Sequence, residues 1–207
     1  MTLKRMVRYS IVAVACAGPA VHAQQPDVRT LAAQVCATCH GPRGRSISPV
    51  VPRLAGQRKE YLESQLKAFR DRTRADPMAQ AYMWGMASQL SDETISHIAA
   101  YYSEQKPVPG KAGDPKLVEA GRAIVEQGVP AANIPACVTC HGKDVEGTPE
   151  CPRLAGQHTE YLLKQLVMFK SELRSGAKAP IMHNITTGMT FEQMQAVAAY
   201  LTSRSRS

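Results

Sequence analysis

Two short stretches of the chain place the same chemically reactive residues in the same order. The first reads "CATCH" at residues 36–40 and the second reads "CVTCH" at residues 137–141. Each has two cysteines, two spacer residues between them, and a histidine directly after the second cysteine. Thiols can form a disulfide, bind a metal ion or attach a cofactor covalently, and an imidazole can bind a metal. The motif is therefore compatible with a redox disulfide, a metal site or an attached cofactor.

The spacing and the context of the two motifs favour covalent haem attachment. Paired cysteines of zinc ribbons lie about 15–20 residues apart, and a redox C-x-x-C motif is expected beside a βαβ unit. These two pairs lie about a whole domain apart, and no strand alternation of useful length surrounds them. C-x-x-C-H is the attachment signature of haem c, in which two thiols add to the vinyl groups and the histidine lies under the iron. We predict two haem c groups, held by Cys36, Cys39 and His40, and by Cys137, Cys140 and His141.

A methionine is the second axial ligand expected for an electron-carrying haem, because a thioether raises the reduction potential. Met83 lies eight residues before Ser91, and Met182 lies eight residues before Thr190. Ser91 and Thr190 are matching helix-start signals, so the internal repeat selects Met83 and Met182 among nine methionines. His183 is an alternative ligand beside Met182. The rival methionines are Met78 and Met86 in the first copy, and Met168 and Met189 in the second.

The elements that must position these ligands also occur twice. "VPRLAGQRKEYLESQLKAF" from Val51 returns as "CPRLAGQHTEYLLKQLVMF" from Cys151, at an offset of 100 residues. The cysteine motifs repeat at an offset of 101, and "IAAYY" from Ile98 repeats as "VAAYL" at an offset of 99. We therefore predict two duplicated domains at residues 24–106 and 107–207. The Pro- and Gly-rich stretch at about residues 104–116 is the predicted linker.

Each copy has the apolar spacing of amphipathic helices, so the sequence predicts an all-α fold. The last helix of each copy has a start signal: Ser91 precedes two acidic residues, and Thr190 with Gln193 forms a capping box. The apolar positions of the central helices are Tyr61, Leu62, Leu66 and Phe69 in the first copy, and Tyr161, Leu162, Leu166, Phe169 and Leu173 in the second. A helical core this small is marginal by itself and is expected to enclose a large apolar group.

The first 23 residues have the layout of a secretory signal peptide. Lys4, Arg5 and Arg8 precede a short apolar run, and small residues favour cleavage after Ala23. An alternative interpretation makes Cys16 the lipidated residue of a lipoprotein. No later segment of the sequence is apolar enough to span a membrane. We expect a soluble protein exported to a bacterial periplasm, and peripheral association with a membrane remains open.

The charge distribution argues against a nucleic-acid partner. Removal of residues 1–23 lowers the formal net charge from +8 to +5. The remaining basic residues are scattered over both copies, whereas nucleic-acid binding calls for a clustered basic face.

Residues 24–207 resemble the dihaem cytochrome c4 family, in which two class I cytochrome c domains follow each other. The resemblance rests on both C-x-x-C-H motifs, the paired methionines, the duplication and the "PRLAGQ" segments. It implies that the carbonyl groups of Pro52 and Pro152 accept hydrogen bonds from His40 and His141. It also implies two domains facing each other about a pseudo-two-fold axis, with the haem propionates near the interface. Cys151 departs from the repeat, where it takes the place of Val51, and we expect a buried inert thiol. The alternatives are an intermolecular disulfide or a redox-sensitive thiol.

Two closed haem sites predict an electron-transfer protein and not an enzyme, because neither iron has an open position for a substrate. The leading hypothesis is a carrier that shuttles single electrons between respiratory redox proteins, toward a terminal oxidase. The alternative is the dihaem electron-accepting subunit of a flavin-containing sulfide dehydrogenase. A third hypothesis is a dihaem enzyme with one weakly held ligand, near Met182 and His183.

Overall fold

The computed structural model describes residues 27–204, and its regular structure is helical. The predicted signal peptide, its cleavage site and Cys16 lie outside these residues. Within them the only extended pairing is an isolated bridge between Val129 and Ile134, so the predicted all-α fold is confirmed. No helix between residues 27 and 204 is long and apolar enough to cross a bilayer. The helices are α1 (Val28–Leu31), α2 (Ala37–His40), α3 (Lys59–Arg70), α4 (Trp84–Ala87), α5 (Asp92–Ser103), α6 (Pro115–Gln127), α7 (Val138–His141), α8 (Thr159–Lys170), α9 (Ala179–Thr187) and α10 (Phe191–Ser203).

The predicted helix starts are confirmed at both final helices. The Ser91 hydroxyl accepts a hydrogen bond from the backbone N–H of Thr94, at 3.1 Å, and α5 begins at the next residue. Thr190 and Gln193 form the full capping box at the start of α10, with bonds of 3.2 Å and 2.9 Å. These side chains satisfy backbone N–H groups that have no partner inside the helix.

The helical interpretation of Leu173 is wrong. Helix α8 ends at Lys170, and Glu172 has a φ of 57°, in the left-handed region that ends a helix. Leu173 is consequently outside the helix and 54% exposed. Its spacing continued the apolar pattern by chance, because periodicity does not report where a chain turns.

The core of each repeat lies between its last helix and the helices that precede it. In the second repeat α10 packs on α6 and α8, and in the first α5 packs on α3. Helices α6 and α10 approach each other closely at Gly121, where an added Cβ would lie 2.0 Å from the carbonyl oxygen of Ala196. Only a residue without a side chain permits this helix–helix distance.

The two "PRLAGQ" segments bind each other across the boundary between the repeats. The Gln57 side chain accepts a hydrogen bond from the N–H of Arg153 (2.7 Å) and donates one to its carbonyl (2.9 Å). Gln157 does the same to Arg53, at 2.9 Å and 3.0 Å. The pairing is therefore reciprocal, as a pseudo-two-fold axis requires.

A second contact between the repeats is a buried pair of guanidinium groups. Arg74 donates to Gln65 (2.6 Å) and Gln165 (3.3 Å), while Arg174 donates to Gln165 (2.6 Å) and Gln65 (3.3 Å). Asp76 is 1% exposed and lies 2.8 Å from Nε of Arg74. Burial by itself raises the pKa of Asp76, but the charge and hydrogen bond of Arg74 outweigh it, so the pKa falls. The carboxylate is thus ionised and stabilises the cation beside it.

We predict that Gly121→Ala destabilises the protein by about 1–3 kcal/mol, because the new methyl group forces α6 and α10 apart. The matched control is Gly113→Ala, where the added Cβ would meet Val118 at an ordinary 3.5 Å. Urea unfolding of the holoprotein, followed by circular dichroism, gives both free energies. Equal stability of the two variants would contradict the close approach.

We predict that Gln57→Leu destabilises the protein by about 2–5 kcal/mol, because it leaves the buried N–H and carbonyl groups of Arg153 without their partner. Gln157→Leu should have a similar effect on Arg53. Gln127→Leu is the control, because Gln127 is exposed at the end of α6 and its replacement should change the free energy of unfolding by less than about 0.5 kcal/mol. The same denaturant titration compares the three variants. The pairing would be refuted by a Gln57 variant as stable as the control.

Candidate haem sites

The first C-x-x-C-H motif lies where a π-helical turn continues into α2. Cys36 ends the π-helical turn Ala32–Cys36, and Cys39 and His40 occupy the last two positions of α2. The His40 Nδ1 atom lies 2.9 Å from the carbonyl oxygen of Pro52. The ring is thus oriented by the "PRLAGQ" segment that follows the motif.

The second motif repeats this geometry. Cys137 directly precedes α7, and His141 is the last residue of that helix. The His141 Nδ1 atom lies 2.9 Å from the carbonyl oxygen of Pro152, and the side chain is 8% exposed. Both copies of the repeat therefore form the same histidine–carbonyl contact.

This contact selects the histidine tautomer that can bind a metal. Because a carbonyl oxygen only accepts, Nδ1 carries the proton, and the Nε2 lone pair is free. Burial lowers the pKa of His40 and of His141, and the proline carbonyls oppose that shift only in part. Neither Nε2 atom has a hydrogen-bond partner within residues 27–204. Each ring is a neutral imidazole whose Nε2 can act as a metal ligand.

The four motif thiols are free in the described part of the chain, as is Cys151. Burial raises the pKa of Cys36, and it raises the pKa of Cys137 to about 11. Cys39 and Cys140 are exposed. None of the thiols is committed to a disulfide, so all four suit addition to vinyl groups.

Cys151 is half-buried, so the structure meets the expectation of a buried thiol only in part. Its N–H donates to the Thr148 hydroxyl at 3.1 Å. Burial raises the pKa of Cys151, and the neighbouring Cys140 raises it further. The thiol is therefore protonated at neutral pH, which makes it a weak nucleophile.

The predicted distal methionines lie on separate elements of their repeats. Met83 ends the π-helical turn Ala79–Met83 and packs on the small cluster around Phe69. Met182 lies in α9, and both methionines are half-buried. Among the rivals, Met168 and Met189 are 7% and 3% exposed, Met86 is 57% exposed and Met78 is half-buried.

His183, the alternative ligand beside Met182, has a structural partner. Its Nε2 atom lies 2.8 Å from the carbonyl oxygen of Arg174, and its ring centroid is 5.9 Å from that of Phe169. The ring is therefore held against the segment between α8 and α9. Its Nε2–H group is used in this hydrogen bond, so only Nδ1 has a lone pair that could bind a metal.

A half-buried arginine whose Nε atom has no partner in the described part of the chain fits the acidic periphery of a haem. The Nε atom of Arg58 is buried and has no hydrogen-bond partner among residues 27–204. An added Cβ on Gly147, in the loop after the second motif, would lie 2.8 Å from Cγ of Arg58. A guanidinium pairs well with carboxylates, which haem carries as propionates. Together with the thiols and the neutral imidazoles, this donor set fits haem c.

Sequence reasoning missed the residues that join the two sites. Gln57 and Gln157 lie in the repeated segment, yet only their proline neighbours had an expected role. His158 had no predicted role, yet it is 8% exposed and its Nε2 donates to the carbonyl oxygen of Ser46, at 2.9 Å, across the interface. The available signal was the recurrence of polar side chains, such as Arg74 and Arg174, at the repeat offset.

Comparisons with known proteins identify the family that has this architecture. The cytochrome c family matches residues 27–105 and 118–205. Cytochrome c-552 of Acidithiobacillus ferridurans is 44% identical over 170 residues, covering 81% of this chain and 73% of that protein. The thiosulfate dehydrogenase electron acceptor of Thiomonas intermedia is 37% identical over 178 residues, covering 82% and 78%.

A solved structure of cytochrome c4 from Acidithiobacillus ferrooxidans superimposes with a TM-score of 0.75 at 42% identity, covering 81% of this chain and 98% of that one. The internal repeat, the two matched histidine sites and the similarity along both halves all indicate a cytochrome with two haem-binding domains. Haem c is therefore bound covalently at two sites, and the protein transfers electrons and is not an enzyme. The chain belongs to the cytochrome c family, as a dihaem cytochrome of the cytochrome c4 type.

Proposed function

We propose that this cytochrome works in the bacterial periplasm, where it carries single electrons from a respiratory donor to a terminal oxidase. The observation that carries the proposal is the pair of equivalent haem sites, with no other catalytic constellation recognised in the sequence. The layout of residues 1–23 supports export. Two haems in one chain provide a short relay, and the paired "PRLAGQ" segments hold the two domains in one arrangement.

We propose His40 with Met83, and His141 with Met182, as the axial ligands, and Cys36, Cys39, Cys137 and Cys140 as the covalent attachment points. Haem c supplies a one-electron Fe(III)/Fe(II) couple when bound. The carbonyl groups of Pro52 and Pro152 fix the imidazole rings and increase their basicity as ligands. In the second repeat the rival methionines Met168 and Met189 are buried in the protein core, whereas Met182 is only half-buried. This difference supports the choice of Met182.

We also propose domain limits of 24–106 and 107–207. The family match to residues 27–105 and 118–205 supports them. So does the helix-free stretch between the end of α5 at Ser103 and the start of α6 at Pro115, which coincides with the proposed linker at about residues 104–116.

The second candidate is the electron-accepting partner of a dehydrogenase that oxidises a reduced sulfur compound, including a flavin-containing sulfide dehydrogenase. The similarity to a thiosulfate dehydrogenase electron acceptor favours it. Native purification from the source cells distinguishes the candidates. A stable complex with a dehydrogenase subunit would support this second function, and a lone cytochrome that terminal-oxidase membranes oxidise rapidly would support the first.

We predict that Met83→His and Met182→His each lower the potential of one haem by on the order of 0.1–0.3 V, because imidazole is a harder donor than a thioether. Each variant should also lose about half of the weak near-infrared absorption of methionine-ligated ferric haem. Spectroelectrochemical titration and near-infrared spectra measure the two effects. Met86→Leu is the control, and the assignment of Met83 fails if this variant loses the band while Met83→His keeps it.

A further inference from the structure

The loops that follow the two haem motifs occupy the same place in their repeats but have opposite charge. The N–H of Leu54 donates to the carbonyl of Gly44 at 2.9 Å, and the N–H of Leu154 donates to the carbonyl of Val145 at 2.9 Å. These bonds align Gly44 with Val145. Residues 41–51 carry a formal charge of +2 with no acidic residue, whereas residues 142–151 carry −2.

The reversal falls on particular aligned positions. Arg43 and Arg45 in the first loop correspond to Asp144 and Glu146 in the second. The N–H of Val51 donates to the carbonyl of Ser48, as the N–H of Cys151 does to that of Thr148, so the apolar Val50 corresponds to Glu150. We name residues 42–50 the basic loop. The two loops arose by duplication and occupy equivalent places in their repeats. The difference in charge between them is therefore a property of the side chains and not of the fold.

The acidic side chains of the second loop have partners inside the molecule, but the basic loop has an unpaired cation. Asp144 lies 3.1 Å from Arg204, and Glu150 forms an ion pair with Lys178. Arg43 is exposed, and no hydrogen bond or ion pair of its guanidinium is found within residues 27–204. Its φ of 56° is in the left-handed region, which is unfavourable for a residue with a side chain. The Arg43 guanidinium is thus exposed, with no hydrogen-bond or ion-pair partner in the described part of the chain.

An apolar side chain projects from the middle of the basic loop on a fixed backbone. Ile47 is 95% exposed. Ser46, beside it, is 2% exposed, and its carbonyl accepts the hydrogen bond from His158 of the other repeat. The N–H of Ser48 donates to the Ser46 hydroxyl at 3.2 Å. Ile47 is therefore presented to solvent by a loop that is already ordered, which lowers the cost of burying it against a partner.

Building on the proposed electron-carrier function, we propose that the basic loop is the docking site for an acidic redox protein. The partner has carboxylates that face Arg43 and Arg45 around an apolar spot that covers Ile47. Complementary charge steers encounter, and a small apolar contact is typical of weak, short-lived redox complexes. An anionic membrane is the competing occupant, but stable lipid recognition usually uses clusters of about 4–8 basic residues. The exposed charge of this loop fits a transient protein encounter better.

The test is stopped-flow oxidation of the reduced dihaem protein by plastocyanin, used as an acidic blue-copper probe. Arg43→Glu/Arg45→Glu should lower the second-order rate constant about tenfold or more at 10 mM ionic strength, and the difference should nearly vanish at about 0.5 M. Ile47→Ser should lower it about threefold to tenfold at both salt concentrations, because the apolar contact is not screened.

The matched control changes charge equally outside the basic loop. Lys111→Glu/Lys116→Glu alters two exposed lysines before and in α6 and should leave the rate within about twofold. Equal losses in the control and in the loop variant would overturn the proposal, because only net charge would then matter. The proposal would also be overturned if the loop variants reacted with plastocyanin as fast as the wild type. Loop variants that lose binding to vesicles with 30% phosphatidylglycerol, while keeping the plastocyanin rate, would assign the loop to the membrane instead.

Two further reactions separate this proposal from the function on which it rests. Oxidation of the wild-type protein by ferricyanide tests electron transfer itself, and its failure would refute the carrier function. With basic mitochondrial cytochrome c as oxidant, Arg43→Glu/Arg45→Glu should be no slower than the wild type. A loss there as large as with plastocyanin would point to damaged haem sites and would count against docking.

Discussion

The hydrogen bond from each motif histidine to a proline carbonyl connects the haem sites to the rest of the structure. Pro52 and Pro152 open the repeated "PRLAGQ" segments, and the next residue of each segment pairs with a glutamine of the other domain. One short segment therefore orients an axial ligand in its own domain and also binds the opposite domain. The carbonyl that orients the imidazole ring and the N–H that binds the opposite domain belong to the same peptide group.

The interface combines polar groups that would be costly to bury alone. The reciprocal Gln57 and Gln157 bonds satisfy backbone groups on both sides, and Arg74 and Arg174 share the two central glutamines. Such networks specify one arrangement, because any other docking leaves buried donors and acceptors unpaired. The symmetry is broken at Asp76, which is matched by Gly176 in the second repeat. Both buried cations lower the pKa of the Asp76 carboxylate.

Duplication has produced two sites with the same ligand geometry and different surroundings. The histidine–carbonyl distance is 2.9 Å in both repeats, whereas the following loops have opposite charge. The electron-carrying machinery must keep its geometry, but the surface around it is free to diverge. This division suits a relay in which each domain meets a different partner.

The sequence alone determined the haem chemistry, the helical class and the duplication. These depend on local signals: the C-x-x-C-H spacing, apolar periodicity, and capping residues such as Ser91 and Thr190. The tertiary structure decided which polar residues meet across the pseudo-two-fold axis, including Gln57 with Arg153 and His158 with Ser46. It also decided that α8 stops before Leu173 and that Ile47 is left exposed. Contacts between residues about one hundred positions apart depend on how two domains dock, and no local pattern of side chains encodes that arrangement.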